Sequence, residues 1–218
     1  YAANMAPLLI LGILSGAISD WLDRRLLYRF IIFGGVVVAG AMALILVIGG
    51  AQVWQIILLS VVSGVVFALN QSISPAYTYD IVGPLHALNG LSLVMICKRI
   101  GMLCGSLLSG FIISVFGPAI QYAAISVAYA IALAVLIGTK AVGQVAPTRR
   151  GSMLQNLVGY LELIRDNSTL LSLMLLTIAI ESLGWSYDSL LPVFAKDVLH
   201  VGAVGLGSMH AMGNVGGI

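Results

Sequence analysis

Apolar runs of about 18 or more residues recur along this chain, at roughly 2–19, 30–49, 53–78, 86–115, 119–139, 170–194 and 201–218. Each is long enough to cross a hydrocarbon core of about 30 Å as a helix. In lipid the backbone must satisfy its own hydrogen bonds, so only helices and closed barrels span it. No run alternates apolar and polar with period two, which argues against a barrel. A soluble bundle would need a polar face on every helix, and these runs have none. Only 8% of residues are charged, against about 25% in soluble domains. The expectation is an all-α, multi-pass membrane protein. The third and fourth runs are long and are expected to include interfacial turns. Gly49-Gly50 and Gly117-Pro118 mark turns between runs.

Charge is concentrated where the runs are broken. The stretch GAISDWLDRRLLYRF, residues 16–30, holds Asp20, Asp23, Arg24, Arg25 and Arg29. Basic residues favour the cytoplasmic side of a membrane protein. Placing this stretch there puts Arg24, Arg25, Arg29, Lys140, Arg149, Arg150 and Arg165 on one side and Lys196 on the other. Asp80 and His86 then fall at a cytoplasmic turn. The net charge of +2 is too small to imply a nucleic-acid partner. Residues 140–169 are the most polar connection. Within them Leu154, Leu157, Val158, Leu161 and Ile164 share one helical face, with Ser152 and Gln155 placed as a capping box. An amphipathic helix on the membrane surface is expected there. This gives three parts: a transmembrane bundle over 1–139, a cytoplasmic linker over 140–169, and the start of a second bundle over 170–218. The Asn167-Ser168-Thr169 sequon falls on the cytoplasmic side and is read as chance. Cys97 and Cys104 lie about 10.5 Å apart along one helix, too far for a disulfide, and read as packing residues.

Gly16, Asp20, Arg24 and Arg25 fall on the fixed positions of a loop that reads roughly G-x-L-A-D-R-x-G-R-R. This stretch resembles the signature loop of the major facilitator superfamily, which joins its second and third transmembrane helices. Trp21 stands where a basic residue is usual and Asp23 where Gly is usual. Asp at that place resembles the branch of macrolide-efflux and enterobactin-export proteins. Asn70 to Asn89, with Ser74-Pro75-Ala76, Asp80 and Ala87-Leu88-Asn89, resembles the family's fourth-helix end and fifth-helix start. Gly105 to Ala119 resembles its fifth-helix glycine pattern, with Ser106 in place of a common Pro and Met102 in place of an Arg. Leu191 to Leu199, followed by Gly202-Ala203 and Gly205-Leu206-Gly207, resembles the seventh-to-eighth helix turn of the efflux branch.

The resemblance implies a twofold six-helix bundle of which this chain covers about helices two to eight. It implies secondary transport across a cell membrane, in a bacterium across the inner membrane, with a small molecule and protons as partners and no cofactor or metal. A monomer is expected for the whole protein. Gly16, Asp20, Arg24 and Arg25 would form a conformational latch, with Gly105 and Gly110 as helix-packing positions.

Charges inside spans are costly and mark functional candidates. Lys98 and Arg99 lie about twelve residues into the fourth run, Glu181 about as deep in the sixth, and Asp188 two turns beyond it. A low-dielectric cavity favours the protonated form of a carboxylate, so Glu181 is the first candidate for loading and releasing a proton. Its alternative role is neutralisation by Lys98 or Arg99. Adjacent helical residues point about 100° apart, so at most one of Lys98 and Arg99 faces a cavity squarely; either would attract an anionic substrate or pair with Glu181. Asp188 reads as a residue of the outer mouth. Tyr77, Tyr79, Trp185 and Tyr187 would stack on a planar compound or sit in the interfacial belt.

Other activities lack their motifs. There is no G-x-S-x-G elbow, no H-E-x-x-H and no Walker loop, and the three His are dispersed. The chain is therefore read as a proton-coupled exporter of a small amphipathic compound, a drug or a siderophore. A lysophospholipid flippase of the same superfamily is the alternative, ahead of an integral-membrane enzyme or a channel.

Overall fold

The computed structural model describes Pro7 and residues 23–139, 167–184 and 186–215. The expected first span at 2–19 (Pro7 excepted), the latch residues Gly16 and Asp20, Trp185 and the amphipathic helix over 154–164 lie outside the described residues. Among them no strand occurs, and four helices are long and apolar enough to cross a membrane. These are α1 (Arg24–Ile48), α2 (Val53–Val82), α3 (Ala87–Phe116) and α4 (Pro118–Gly138).

Each helix ends where the sequence supplies a stop. Asp23 caps α1: its carboxylate accepts from the backbone N–H groups of Arg25 at 2.8 Å and Leu26 at 3.3 Å. Helix α1 therefore starts six residues before the apolar run expected from 30, and the three arginines are helical rather than part of a loop. Gly49, at φ 74°, closes α1 in the left-handed conformation that suits glycine. Pro118 opens α4 in the first-turn position that costs no hydrogen bond.

The expected interfacial turns in the long third and fourth runs are not found. Helices α2 and α3 are continuous over 30 residues each, about 45 Å at the α-helical rise. Pro75 sits inside α2 without ending it. Neighbouring Thr78 donates to the Ser74 carbonyl at 2.8 Å.

By contact the chain divides into two units, Tyr1–Ala146 with Ala203–Ile218, and Pro147–Gly202. In the first unit the most extensive pairing is α1 with α4, followed by α1 with α2. The α1–α4 approach is close because Gly35 has no side chain: a Cβ there would lie 2.7 Å from the Tyr129 ring. Ser126 on α4 donates to the Val36 carbonyl at 3.0 Å. Ile31, Ile32, Ala39, Met42, Ala68 and Ile73 are buried between these helices. Phe30, Phe33, Leu44, Ile57, Phe111 and Val127 are exposed, as suits helices whose solvent is hydrocarbon. Cys97 and Cys104, expected to pack, are free thiols on the exposed surface of α3.

In the second unit α5 spans Ser168–Gly184. Asn167 of the sequon serves its start, accepting from the Leu170 N–H at 3.1 Å. The expected single span over 170–194 is broken. After Gly184 come a 3-10 turn at Ser186–Ser189, one helical turn at Leu191–Val193 and a π-helical turn at Phe194–Val198. Pro192, in the short helical turn, brings no N–H to an upstream carbonyl. His200, at φ 53°, follows the π-turn, and its Nδ1 lies 2.9 Å from the Lys196 carbonyl. The final described helix, α6 (Gly202–Val215), groups by contact mostly with the first unit.

Candidate functional site

The starts of α1 and α3 and the ends of α2 and α4 lie at one end of the four-helix unit. Here the charged stretch meets two different partners. Arg24 forms an ion pair with Asp80 in the last turn of α2, Nη1 to Oδ1 at 2.9 Å. The pair is largely withdrawn from solvent, with side-chain exposures of 16% and 6%. One turn along, the rings of Tyr28 and Tyr77 meet at 5.7 Å between centroids, tilted by 42°. Arg24 and Tyr28 stand at i and i+4, Tyr77 and Asp80 at i and i+3, so two neighbouring pairs join α1 to α2. Tyr77, expected as a stacking or belt residue, is buried in this contact. Its hydroxyl and the Oδ2 of Asp80 have no hydrogen-bond partner among the described residues.

Arg25 and Arg29 turn towards α4 instead. Arg25 donates to the Thr139 carbonyl, and Arg29 to the Ile137 carbonyl at 3.3 Å. The last carbonyls of a helix lack intrahelical donors, and cations at that end are favoured by the helix dipole. The two arginines therefore cap α4 where the polar connection begins. Replacing both by Ala is expected to fray that end at a cost of about 1 kcal/mol. The check is amide hydrogen exchange: residues 136–139 should exchange faster, while the middle of α4 stays protected.

The other sequence candidates lie elsewhere. Lys98, on α3, donates through Nζ to Oε1 of Gln71 on α2 at 3.3 Å. Arg99 beside it has no hydrogen bond or ion pair among the described residues. Glu181 belongs to α5, with its side chain outside the described set, and Asp188 lies in the 3-10 turn, half-buried. Tyr79 and Tyr187 are exposed. The two glycines differ. A Cβ at Gly110 would lie 2.7 Å from the Ala203 carbonyl oxygen and 3.2 Å from the Val204 Cα of α6. A Cβ at Gly105 would meet nothing within 4 Å, so Gly105, expected to pack, faces open space among the described residues.

From sequence, Arg24 and Arg25 can hold carboxylates or carbonyl ends across a helix interface; which groups they meet, the cap made by Arg29 and the Gln71 contact were not read. Asp80 carried a legible signal, a lone acid near the end of an apolar run facing a basic stretch. Backbone carbonyls carry none. No group of three or more His, Cys, Asp or Glu able to hold a metal occurs among the described residues.

A comparison with curated proteins finds no match. The sequence model of one family, described as transmembrane secretion effector and of major facilitator type, matches residues 1–218. With four helices among the described residues long and apolar enough to cross a membrane, charged contacts at their shared end and a family match over its whole length, the chain belongs to the transmembrane secretion effector family of the major facilitator superfamily.

Proposed function

We propose that this transporter exports a small amphipathic organic compound in exchange for protons, by alternating access of two helical bundles in a cell membrane. The proposed bundles include residues 1–139 and 170–218, joined by 140–169. The observation that carries this reading is the charged end of the first unit. A largely buried ion pair beside arginines that hold a helix terminus suits a contact that switches between two states. It holds in one conformation and releases in the other, a role that a permanent pore does not require. Gly16, Asp20, Arg24 and Arg25 form the latch in this reading, and the likeness to the macrolide-efflux and enterobactin-export branch supports the outward direction. Glu181 is the proposed proton carrier and Asp188 a residue of the outer mouth.

The test is substrate-dependent proton flux in proteoliposomes with an imposed pH gradient, screening macrolides, cationic dyes and catecholate siderophores. Wild type should show flux, and Glu181→Gln should reduce it at least tenfold without loss of folded protein. Transport that survives the substitution assigns Glu181 a structural role. Movement of lysophospholipids without proton flux would replace this reading with the flippase.

A further inference from the structure

We propose that Lys98 and Gln71 form an oxyanion-binding subsite within the membrane, so that the cargo carries a carboxylate, phosphate or similar group. The inference rests on the transporter reading and deepens it, because it fixes the chemistry of one part of the cargo.

Depth comes first. Counting from Val82 and Ala87 at about 1.5 Å per residue, Gln71 and Lys98 each lie about 16 Å along their helices from the hairpin that joins α2 to α3. Both helices exceed the hydrocarbon core by about 15 Å. Centred in the bilayer, they place this pair about 9 Å inside the hydrocarbon boundary. An ammonium at that depth avoids lipid by snorkelling to the surface or by facing a wet cavity. Here Nζ is held by Gln71 on the neighbouring helix at the same depth, so the stem does not run out to the headgroups. The face that carries Lys98 is therefore the cavity face.

The surroundings fit a ligand. No carboxylate among the described residues lies within ion-pair distance of Lys98, and its one hydrogen bond is to a neutral amide. An ammonium has three donors, so two remain for an incoming anion. Gly101 stands one turn beyond Lys98 and Gly105 two turns beyond; a Cβ at either would meet nothing within 4 Å. The backbone is thus bare beside the charge, with exposed Met95 and Met102 as adaptable apolar neighbours on the same helix. On α2, Pro75 has no N–H to give to the Gln71 carbonyl four residues earlier. The Gln71 turn therefore offers a side-chain amide and a weakened backbone bond where Lys98 arrives. A cation with spare donors, an amide that orients it and an open notch alongside make a place for an anionic oxygen on an apolar body.

The test uses a matched pair of dyes: rhodamine 110, which has a free carboxylate, and its methyl ester rhodamine 123. Binding to the protein in nanodiscs is read by fluorescence anisotropy, which does not depend on turnover. Wild type should bind the carboxylate at least tenfold more tightly than the ester. Lys98→Gln should bring that ratio close to one by weakening the carboxylate alone, and Lys98→Arg should retain most of it. A wild type without carboxylate preference, a preference that survives Lys98→Gln, or an equal loss for both dyes overturns the proposal. Adding lysophosphatidylglycerol or lysophosphatidylcholine then separates the sources. Displacement of rhodamine 110 by the first alone assigns the site to a lipid headgroup, and no displacement by either assigns it to a soluble anion. Proton flux in proteoliposomes tests the exporter reading separately: flux with a null binding result removes this inference and leaves that reading intact.

Discussion

Gly110→Leu is expected to disrupt the protein more than any other single apolar substitution in α3. At Gly110 the obstacles are backbone atoms, the Ala203 carbonyl and the Val204 and Gly207 Cα atoms. The reverse view agrees, since a Cβ at Gly207 would lie 2.5 Å from the Ser106 carbonyl oxygen. Side chains can rotate away from a new neighbour, whereas two helix backbones must separate. Small residues let membrane helices approach this closely, and dispersion contacts along the seam then hold them. Overpacking costs typically about 1–3 kcal/mol, and a rigid backbone obstacle puts Gly110→Leu at the top of that range. Gly110→Ala should show a smaller loss of the same kind. Gly105→Leu is the control for stability, being on the same helix with open space before it. The measurement is the apparent melting temperature in detergent: Gly110→Leu should fall well below wild type and Gly105→Leu should not. Equal stability of the two variants would show that α3 and α6 do not meet at Gly110.

The second large effect is expected at Asp80. Asp80→Asn keeps the size of the side chain and removes its charge, leaving the Arg24 guanidinium against a neutral amide in a largely buried place. Hydrogen bonds to charged groups are worth about 1.5–3 kcal/mol, and neutralising Asp80 withdraws that contribution from a largely buried guanidinium. A loss of about 2–3 kcal/mol is expected, with transport reduced at least tenfold if the pair is the proposed latch. A double-mutant cycle with Arg24→Gln isolates the interaction. The double variant should be less destabilised than the sum of the singles. Strict additivity would mean that the two residues act independently, and normal transport by Asp80→Asn would remove them from the latch.

The spanning helices were legible because their signal is dense. Runs such as Ile31 to Ile48 have no polar residue that competes with the helical reading, and Gly49, Gly117 and Pro118 mark the breaks. The ends were less legible, for a physical reason. Hydropathy counts arginine as solvent-seeking, so it began α1 at 30. Asp23 caps the helix earlier, because a carboxylate can serve backbone N–H groups whatever the hydropathy of the following turn. The same blindness hid the break after Gly184, since the run to Phe194 is apolar enough to read as one span. In the candidate site, Lys98 could be found as a charge within an apolar run. Its partner Gln71 could not, since pairing across two antiparallel helices depends on their register. Arg25 and Arg29 read as an orientation signal, and their carbonyl partners on α4 have no letter in the sequence.

Those two arginines also set a schedule for synthesis. Their acceptors, the carbonyls of Ile137 and Thr139, lie 108 and 114 residues further along the chain. A ribosome adds about 5–20 residues per second, so α1 enters the bilayer roughly 5–20 s before its main neighbour exists. During that interval the guanidinium groups must rest on water and lipid phosphates at the surface, and Gly35 lines a slot still waiting for Tyr129. Helix α2 emerges sooner and brings Asp80, so the α1–α2 pair can form first and hold α1 in place. Arrest of translation before residue 118 would therefore leave α1 held to α2 by the Arg24–Asp80 and Tyr28–Tyr77 pairs, with its other flank open to whatever helix the insertion machinery presents.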